Sequence, residues 1–170
     1  MRICKLFFAD DAVTFNGEHY HLDGLEGFPK PVQRPHPPLL LGGGADRALR
    51  RVGRIADGWI SASRHDLRTI GADLELMRGA AREAGRDPER LRFVIRGVPS
   101  LTDEPAGADR RPLHGDAGQL REDFERLAEA GVTELFLDLN FDPEVGSPDA
   151  DPAASMRRAE QLLTTFAPRP

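Results

Sequence analysis

Short apolar runs along the chain alternate with longer stretches in which apolar residues recur every three or four positions. Four runs have the length and composition of buried strands: Leu39–Leu41, Gly58–Ser61, Arg92–Arg96 and Glu134–Leu139. A stretch with helical period follows each of them, and these stretches begin near Ala45, Asp66, Asp116 and Asp151. Parallel strands need a crossover that returns the chain to the same end of the sheet. The repeated β-α order therefore predicts an α/β fold with four parallel strands.

The segments outside these units have other patterns. Residues 12–22 alternate around Asn16-Gly17, a strong signal for a tight turn, and predict a small hairpin with strands Ala12–Phe15 and Glu18–Leu22. The proline-rich residues 29–38 predict an extended connector, and the polar residues 99–115 predict a long mobile loop. Two architectures fit this order of elements: a four-stranded open sheet, or half of a (β/α)8 barrel.

Composition excludes several classes of protein. The net charge of −5 argues against nucleic acid as the main partner, because phosphate backbones are bound by clustered Lys and Arg. The single cysteine, Cys4, excludes an intrachain disulfide and fits the reducing cytoplasm, where we expect the protein to work. No apolar run approaches the roughly 20 residues of a membrane helix, so we expect no membrane partner. We expect one domain over residues 1–170, with the hairpin near 12–22 and the β-α units near 38–167.

Three consecutive glycines separate the most apolar run from the helix that follows: Gly42, Gly43 and Gly44. Ligands bind at the carboxyl ends of parallel strands, and the first N–H groups of a helix carry partial positive charge without internal partners. Glycine lets an anion approach these groups, because no Cβ intervenes. The pattern fits a phosphate-binding loop, and it also fits a tight turn with no ligand. It is neither a GxGxxG fingerprint nor a P-loop.

An ordered set of motifs resembles a known family. FNGEHYHLDG, PKPVQRPHPPLLLGGG and RIADGW, in that order and spacing, resemble the C-terminal half of luciferase-like monooxygenases, above all their actinobacterial deazaflavin-dependent branch. LREDFERLAEAGVTELFLDL resembles the family's segment through its eighth strand. The resemblance implies the C-terminal half of a (β/α)8 TIM barrel and an oxidoreductase acting on a small-molecule substrate. It also implies a reduced cofactor at the carboxyl ends of the strands, coenzyme F420 or alternatively FMN.

The same resemblance implies cofactor-binding residues. In the family, backbone N–H groups in the loop after the fifth strand hold the cofactor phosphate, which corresponds here to Gly42, Gly43 and Gly44. Family members often place a hydroxyl or a cation near this phosphate at the exit of the sixth strand, where this chain has Ser61, Ser63 and Arg64. Ordinary strand and cap roles for the serines, and a solvated surface cation for Arg64, are the alternatives.

Other polar residues are weaker candidates. Asp138 and Asn140 close the last strand at its ligand-binding end, where they either face a ligand or cap the chain. His19 and His21 share one face of a predicted strand, but no third ligand is visible at a suitable spacing, so no metal is expected. Cys4 is predicted to pack on an apolar helix face.

The predicted fold supplies four of the eight strands of the family's barrel. MRICKLFFAD resembles the tail of the helix after the family's fourth strand. The missing half carries much of the platform for the cofactor ring, so catalysis by this chain alone is not expected. A half barrel leaves two strand edges and an apolar inner face, which predicts a homo-oligomer or a complementary N-terminal half as partner. Two functions stay open: a fragment or half-subunit of a flavin- or deazaflavin-dependent oxidoreductase, or a non-catalytic remnant or structural subunit that pairs with another chain.

Overall fold

The computed structural model describes residues 1–142 and 145–167, so residues 143–144 and 168–170 of the predicted 1–170 domain lie outside the described residues. The chain starts with helix α1 (Arg2–Ala9) and an antiparallel hairpin of β1 (Ala12–Asn16) and β2 (His21–Glu26). After the proline-rich connector come, in order, β3 (Leu40–Leu41), α2 (Asp46–Ile55), β4 (Gly58–Ile60), α3 (Ile70–Glu83), β5 (Arg92–Gly97), β6 (Ser100–Leu101), β7 (His114–Gly115), α4 (Ala117–Ala130), β8 (Glu134–Leu137) and α5 (Pro152–Phe166).

The central sheet contains four parallel strands in the order β3-β4-β5-β8. Leu40 pairs with Gly58, and Trp59 pairs with Phe93. This confirms the four parallel strands predicted from the sequence. The carboxyl ends of all four strands therefore lie at the same edge of the sheet.

The core lies between this sheet and the helices that cover one of its faces. Trp59, Phe93 and Ile95 are fully or almost fully buried and belong to one cluster with Leu49, Val52, Leu74 and Met77 of α2 and α3. Burial of each large apolar side chain contributes about 1.5–3 kcal/mol relative to exposure. The two helices approach so closely at Gly53 that a Cβ there would lie 2.2 Å from the carbonyl oxygen of Met77. These contacts hold α2 firmly against the sheet.

Several predicted boundaries differ from the structure. The hairpin loop spans Gly17–Tyr20, with the Gly17 N–H bonded to the Tyr20 carbonyl at 2.9 Å, so the second strand begins at His21 rather than at Glu18. Helix α3 begins at Ile70 rather than near Asp66, because residues 66–69 form a turn in which Asp66 accepts a hydrogen bond from the Arg68 N–H. The strands β4 and β8 are shorter at their carboxyl ends than predicted, by one and two residues.

The segment predicted as a long loop has structure of its own. Strands β6 and β7 within it pair in parallel, and Arg110 forms an ion pair with the buried carboxylate of Asp123 on α4. Cys4 was predicted to pack on an apolar helix face, but it is exposed, since α1 buries none of its residues. Among the described residues, no helix has the length and apolar character needed to cross a membrane.

Candidate functional site

The glycine loop, residues 42–44, connects β3 to α2 at the carboxyl edge of the sheet, and all three glycines are exposed. Gly43 has a φ of +113°, and a Cβ at this position would lie 2.8 Å from the Cβ of Ala48. Both observations require glycine here. The indole N–H of Trp59 donates a hydrogen bond to the Gly43 carbonyl at 2.8 Å, which ties the loop to the core.

The loop leads directly into a helix start without a side-chain cap. Ala45 occupies the N-cap position of α2, whereas Asp116 and Asp151 cap α4 and α5 with their carboxylates. Within the described part of the chain, no side chain caps the first N–H groups of α2, and the helix dipole gives this end partial positive charge. Asp46 lies in the first turn and complements the dipole without acting as the cap. An open helix start beside exposed glycines can accept an anion.

At the exit of β4, the two candidate serines point into the sheet. Ser61 is 3% exposed, and its hydroxyl oxygen accepts a hydrogen bond from the Arg96 backbone N–H at 2.9 Å. Ser63 is also buried, and its hydroxyl donates to the carboxylate of Asp138. Arg64 is exposed at the same edge. The serines are thus bonded to groups of the neighbouring strand and of the segment after β8, and the glycines and Arg64 are exposed to solvent.

The structure adds His65, which the sequence analysis missed. A Cβ on Gly44 would lie 3.2 Å from His65 Nδ1, so the imidazole adjoins the glycine loop. Its Nε2 lies 2.7 Å from a carboxylate oxygen of Asp73, and Thr69 donates to the same oxygen at 2.8 Å. This carboxylate fixes the ring with Nδ1 towards Gly44. In the sequence, the only signal is that His65 follows a predicted strand by a few residues. No pattern within that segment links His65 to the glycines.

A buried carboxylate joins three strands at this edge. Asp138 is fully buried and accepts hydrogen bonds from the Ser63 hydroxyl, from Arg96 Nη2 at 2.5 Å and from the Asn140 N–H at 3.0 Å. Burial opposes ionisation, but the hydrogen bonds from Ser63 and Asn140 and the charge of Arg96 outweigh it and hold the pKa of Asp138 below its ordinary value. Of the two roles left open for Asp138, the structure shows the cap.

The described part of the chain was also compared with the side-chain arrangements that hold metal ions. Within residues 1–142 and 145–167, no group of three or more His, Cys, Asp or Glu side chains is arranged to hold an ion. His19 and His21 are both exposed on the hairpin.

Comparison with known proteins identifies relatives of the chain. The family model for luciferase-like monooxygenases matches residues 1–116. An uncharacterized protein of Mycobacterium tuberculosis is 29% identical over 155 residues, which cover 90% of this chain and 45% of the relative. The FMNH(2)-dependent dimethylsulfone monooxygenase of Pseudomonas putida is 29% identical over 85 residues, which cover 50% of this chain and 23% of that enzyme.

Among solved structures, the coenzyme F420 dependent tetrahydromethanopterin reductase from Methanopyrus kandleri superposes with a TM-score of 0.65 at 15% identity. The match covers 94% of this chain and 58% of the reductase. The chain therefore spans about half the length of the relatives it matches.

The fold and the family agree. The four parallel strands and their helices form the C-terminal half of a (β/α)8 barrel, as the resemblance in the sequence implied. The family model covers more than half of the chain. On this evidence, the chain belongs to the luciferase-like monooxygenase family.

Proposed function

We propose that the chain is the C-terminal half of a flavin- or deazaflavin-dependent oxidoreductase, and that residues 42–44 bind the phosphate of its cofactor. The observation that carries the proposal is the uncapped start of α2 beside three exposed glycines at the carboxyl edge of a parallel sheet. Membership in the luciferase-like family supports it. The cofactor, once bound, supplies the hydride or electrons of the reaction.

The candidate residues take two kinds of role in this proposal. The backbone N–H groups of Gly42, Gly43 and Gly44 bind the phosphate, and the guanidinium of Arg64 and the imidazole of His65 lie beside them. Ser61 and Ser63 act as positioning residues. Ser63 has already donated its hydroxyl hydrogen to Asp138, and Ser61 supports the Arg96 backbone. Their contacts hold the exit of β4 in place next to the glycine loop.

Coenzyme F420 is the proposed cofactor, and FMN is the alternative. A solved relative is named as F420-dependent, and a curated relative is named as FMNH(2)-dependent. The substrate is a small molecule. Because the chain spans about half of its relatives, we propose that turnover needs a complementary N-terminal half or a second copy to complete the barrel. A cytoplasmic location stays a prediction.

Trp59 offers a direct test of the glycine loop. It is the single tryptophan, and its indole N–H is bonded to the Gly43 carbonyl, so its emission reports on ligands at residues 42–44. The chain is titrated with inorganic phosphate, FMN and coenzyme F420. We expect a saturable change in Trp59 emission, with phosphate as the probe free of inner-filter absorption.

Gly42→Ala is the decisive variant. Gly42 lacks a positive φ, and the nearest atom to an added Cβ is the Ile60 carbonyl oxygen at 3.7 Å, so the fold accepts alanine. The added methyl group crowds a bound phosphate, and we expect roughly tenfold weaker binding, about 1.4 kcal/mol. Gly71→Ala is the matched control, because a Cβ there meets nothing within 4 Å. If both variants bind phosphate with equal affinity, or if no ligand gives a saturable response, the glycines serve only to form the turn. That result would favour a non-catalytic subunit.

A further inference from the structure

We propose that Arg96 and Phe136 form a binding site for a planar ring with a conjugated carbonyl group, on the sheet face opposite the core. The two residues are direct partners in the pairing of β5 with β8. Both lie near the carboxyl ends of these strands, the edge at which parallel α/β folds bind their ligands. The site rests on the proposed function, since the glycine loop lies at the same edge of the same sheet.

The alternation of side chains along β5 and β8 places both residues on one face. Phe93 and Ile95 of β5 and Leu135 of β8 pack in the core cluster. Successive side chains of a strand point to opposite faces, so Arg96 and Phe136 point away from the core. In a (β/α)8 barrel the helices lie outside, so the face opposite the core helices is the inner one. The pair therefore lies at the mouth of the half barrel.

The guanidinium of Arg96 is anchored at one nitrogen and open at the other two. Its Nη2 donates to the carboxylate of Asp138 at 2.5 Å. The Asp138 side chain is completely buried, whereas 32% of the Arg96 side chain is exposed. Among the described residues, Nε and Nη1 of Arg96 have no protein acceptor, and neither atom is buried. These N–H groups lie in the plane of the guanidinium and are available to a ligand.

The backbone on both sides holds this guanidinium in a defined place. The Arg96 N–H donates to Ser61 Oγ at 2.9 Å, and the Asp138 N–H donates to the Gly97 carbonyl at 2.8 Å. Arg96 is thus fixed to the segments that follow β4 and β8. A side chain that is already anchored loses less conformational freedom on binding, which favours a ligand at this position.

The surroundings of Arg96 indicate the chemical class of the ligand. The carboxylate of Asp138 compensates the charge of Arg96, so the pair does not require an anion. A neutral carbonyl oxygen accepts the open N–H groups and leaves this ion pair intact. The adjacent Phe136 ring is 50% exposed and offers an apolar surface on which a flat ring stacks. A conjugated carbonyl on a planar ring combines the two features.

The distance from the glycine loop allows two sources for this ring. One strand, β4, separates β3 from β5, so the end of β5 lies about 10 Å across the sheet from the end of β3. A molecule held by its phosphate at residues 42–44 reaches Arg96 if a short carbon chain joins its phosphate to its ring. The ring is therefore either part of that molecule or a separate substrate bound beside it.

The binding test uses the whole purified chain with riboflavin and 1-indanone, which carry a ring carbonyl and no phosphate. Fluorescence anisotropy follows riboflavin, and NMR titration follows 1-indanone. Arg96→Lys keeps the charge beside Asp138 but removes the planar set of donors. Arg92→Lys is the matched control, because Arg92 lies on the same strand and face at the amino end, paired with Glu134.

We expect saturable binding to the wild type and to Arg92→Lys, and about tenfold weaker binding of at least one ligand to Arg96→Lys. Equal affinities of all three proteins for both ligands, or no saturable binding of either ligand to the wild type, overturn the proposal. Thermal melting of each variant shows whether it is folded.

Phe136→Leu is a second variant that does not disturb the Asp138 ion pair. It keeps an apolar side chain but removes the ring, so the ligand that depends on Arg96 should bind about threefold more weakly. Phe28→Leu is its control, since Phe28 is 65% exposed on the segment after β2. If Arg96→Lys does not fold, Phe136→Leu decides, and unchanged affinity for both ligands overturns the proposal.

The two ligands also separate the two sources of the ring. Weaker binding of riboflavin to Arg96→Lys assigns the carbonyl to the molecule held at residues 42–44. Weaker binding of 1-indanone alone assigns it to a separate substrate. Weaker riboflavin binding in Arg96→Lys with unchanged phosphate binding in Gly42→Ala would overturn the phosphate loop alone. Weaker phosphate binding in Gly42→Ala with unchanged binding of both ring compounds in Arg96→Lys would overturn the Arg96 site alone.

Discussion

A single buried carboxylate, Asp138, holds three neighbouring strands together at the carboxyl edge of the sheet. It receives hydrogen bonds from Ser63 after β4, from Arg96 on β5 and from the backbone of Asn140 after β8. Removing one partner of a buried ion pair leaves the other charge without compensation, which is more costly than losing an exposed pair.

We therefore expect Asp138→Asn to lower the free energy of unfolding by about 1–3 kcal/mol, because Arg96, which is 32% exposed, loses its buried counter-charge. Urea denaturation followed by circular dichroism measures the change. Asp109→Asn is the control, since Asp109 is exposed, and its effect is expected to lie within about 0.5 kcal/mol. Similar effects of the two variants would show that the hydrogen bonds and the ion pair of Asp138 contribute little to stability.

The lowered pKa of Asp138 gives a second expectation at this residue. A carboxylate whose pKa is lower in the folded than in the unfolded state binds fewer protons when folded, so folding stability rises with pH across that interval. Its contribution is complete above the unfolded value, about 3.9, and is lost as pH falls through the lower folded value. We expect the difference in unfolding free energy between wild type and Asp138→Asn to shrink with acidification below about pH 4. If the difference in unfolding free energy between the two proteins stayed constant from pH 7 to the acid transition, Asp138 would not be the charged carboxylate assigned here.

The start of α2 has no side-chain cap, as is also the case for α1 and α3, although Ala45 has the extended backbone conformation typical of an N-cap. In contrast, α4 has a complete capping box, with the Gln119 N–H bonded to Asp116 at 2.8 Å and the Asp116 N–H bonded to the Gln119 side chain at 3.2 Å. An uncapped helix start is less stable, but it keeps its N–H groups accessible to a ligand.

Ala45→Asp is expected to stabilise the fold and to weaken phosphate binding at the glycine loop. A carboxylate at the N-cap should raise the free energy of unfolding by about 0.5–2 kcal/mol. The same carboxylate would occupy the N–H groups proposed for the phosphate and repel it, so phosphate binding measured through Trp59 should weaken at least tenfold. Ala128→Asp, on the exposed side of α4, controls for the added charge. A more stable variant with unchanged phosphate affinity would place the ligand away from the start of α2.

At the scale of the whole molecule, the sheet face opposite the helices of the core carries an exposed large apolar side chain, Phe136. Leu135 packs against the core, so its neighbour Phe136 points to the opposite face, where it is 50% exposed. Ile60, which is half-buried, and Val94, which is 6% exposed, lie on the same face, because Trp59, Phe93 and Ile95 face the helices. The outer strands β3 and β8 are also open edges of this sheet.

We expect the isolated chain to self-associate through this face, because apolar surface and open strand edges favour association. Sedimentation equilibrium should give a mass above that of the monomer, and Phe136→Glu should shift it towards the monomer. Val32→Glu, at a residue 97% exposed on the connector, should leave the mass unchanged. A monodisperse monomer with a sharp cooperative melt would contradict the expectation.

Local patterns in the chain predicted most of the elements correctly. The helical period located α2, α4 and α5, and Asp116 and Asp151 marked helix starts because capping depends on residues within one turn. The three glycines were recognised as a possible anion site for the same local reason. The ordered motifs predicted the family and the half barrel, and both predictions are confirmed.

Contacts between residues far apart in the sequence could not be predicted in this way. His65 meets Gly44, and Ser63 meets Asp138, 75 residues later, only after the strands have aligned their carboxyl ends. Arg110 and Asp123 anchor a segment whose polar composition predicted a mobile loop. Composition and periodicity describe what one segment prefers, whereas these pairs depend on strand order, on helix packing and on which side chains become buried together. The elements of the half barrel follow from local preferences, and the arrangement of its candidate site follows from tertiary packing.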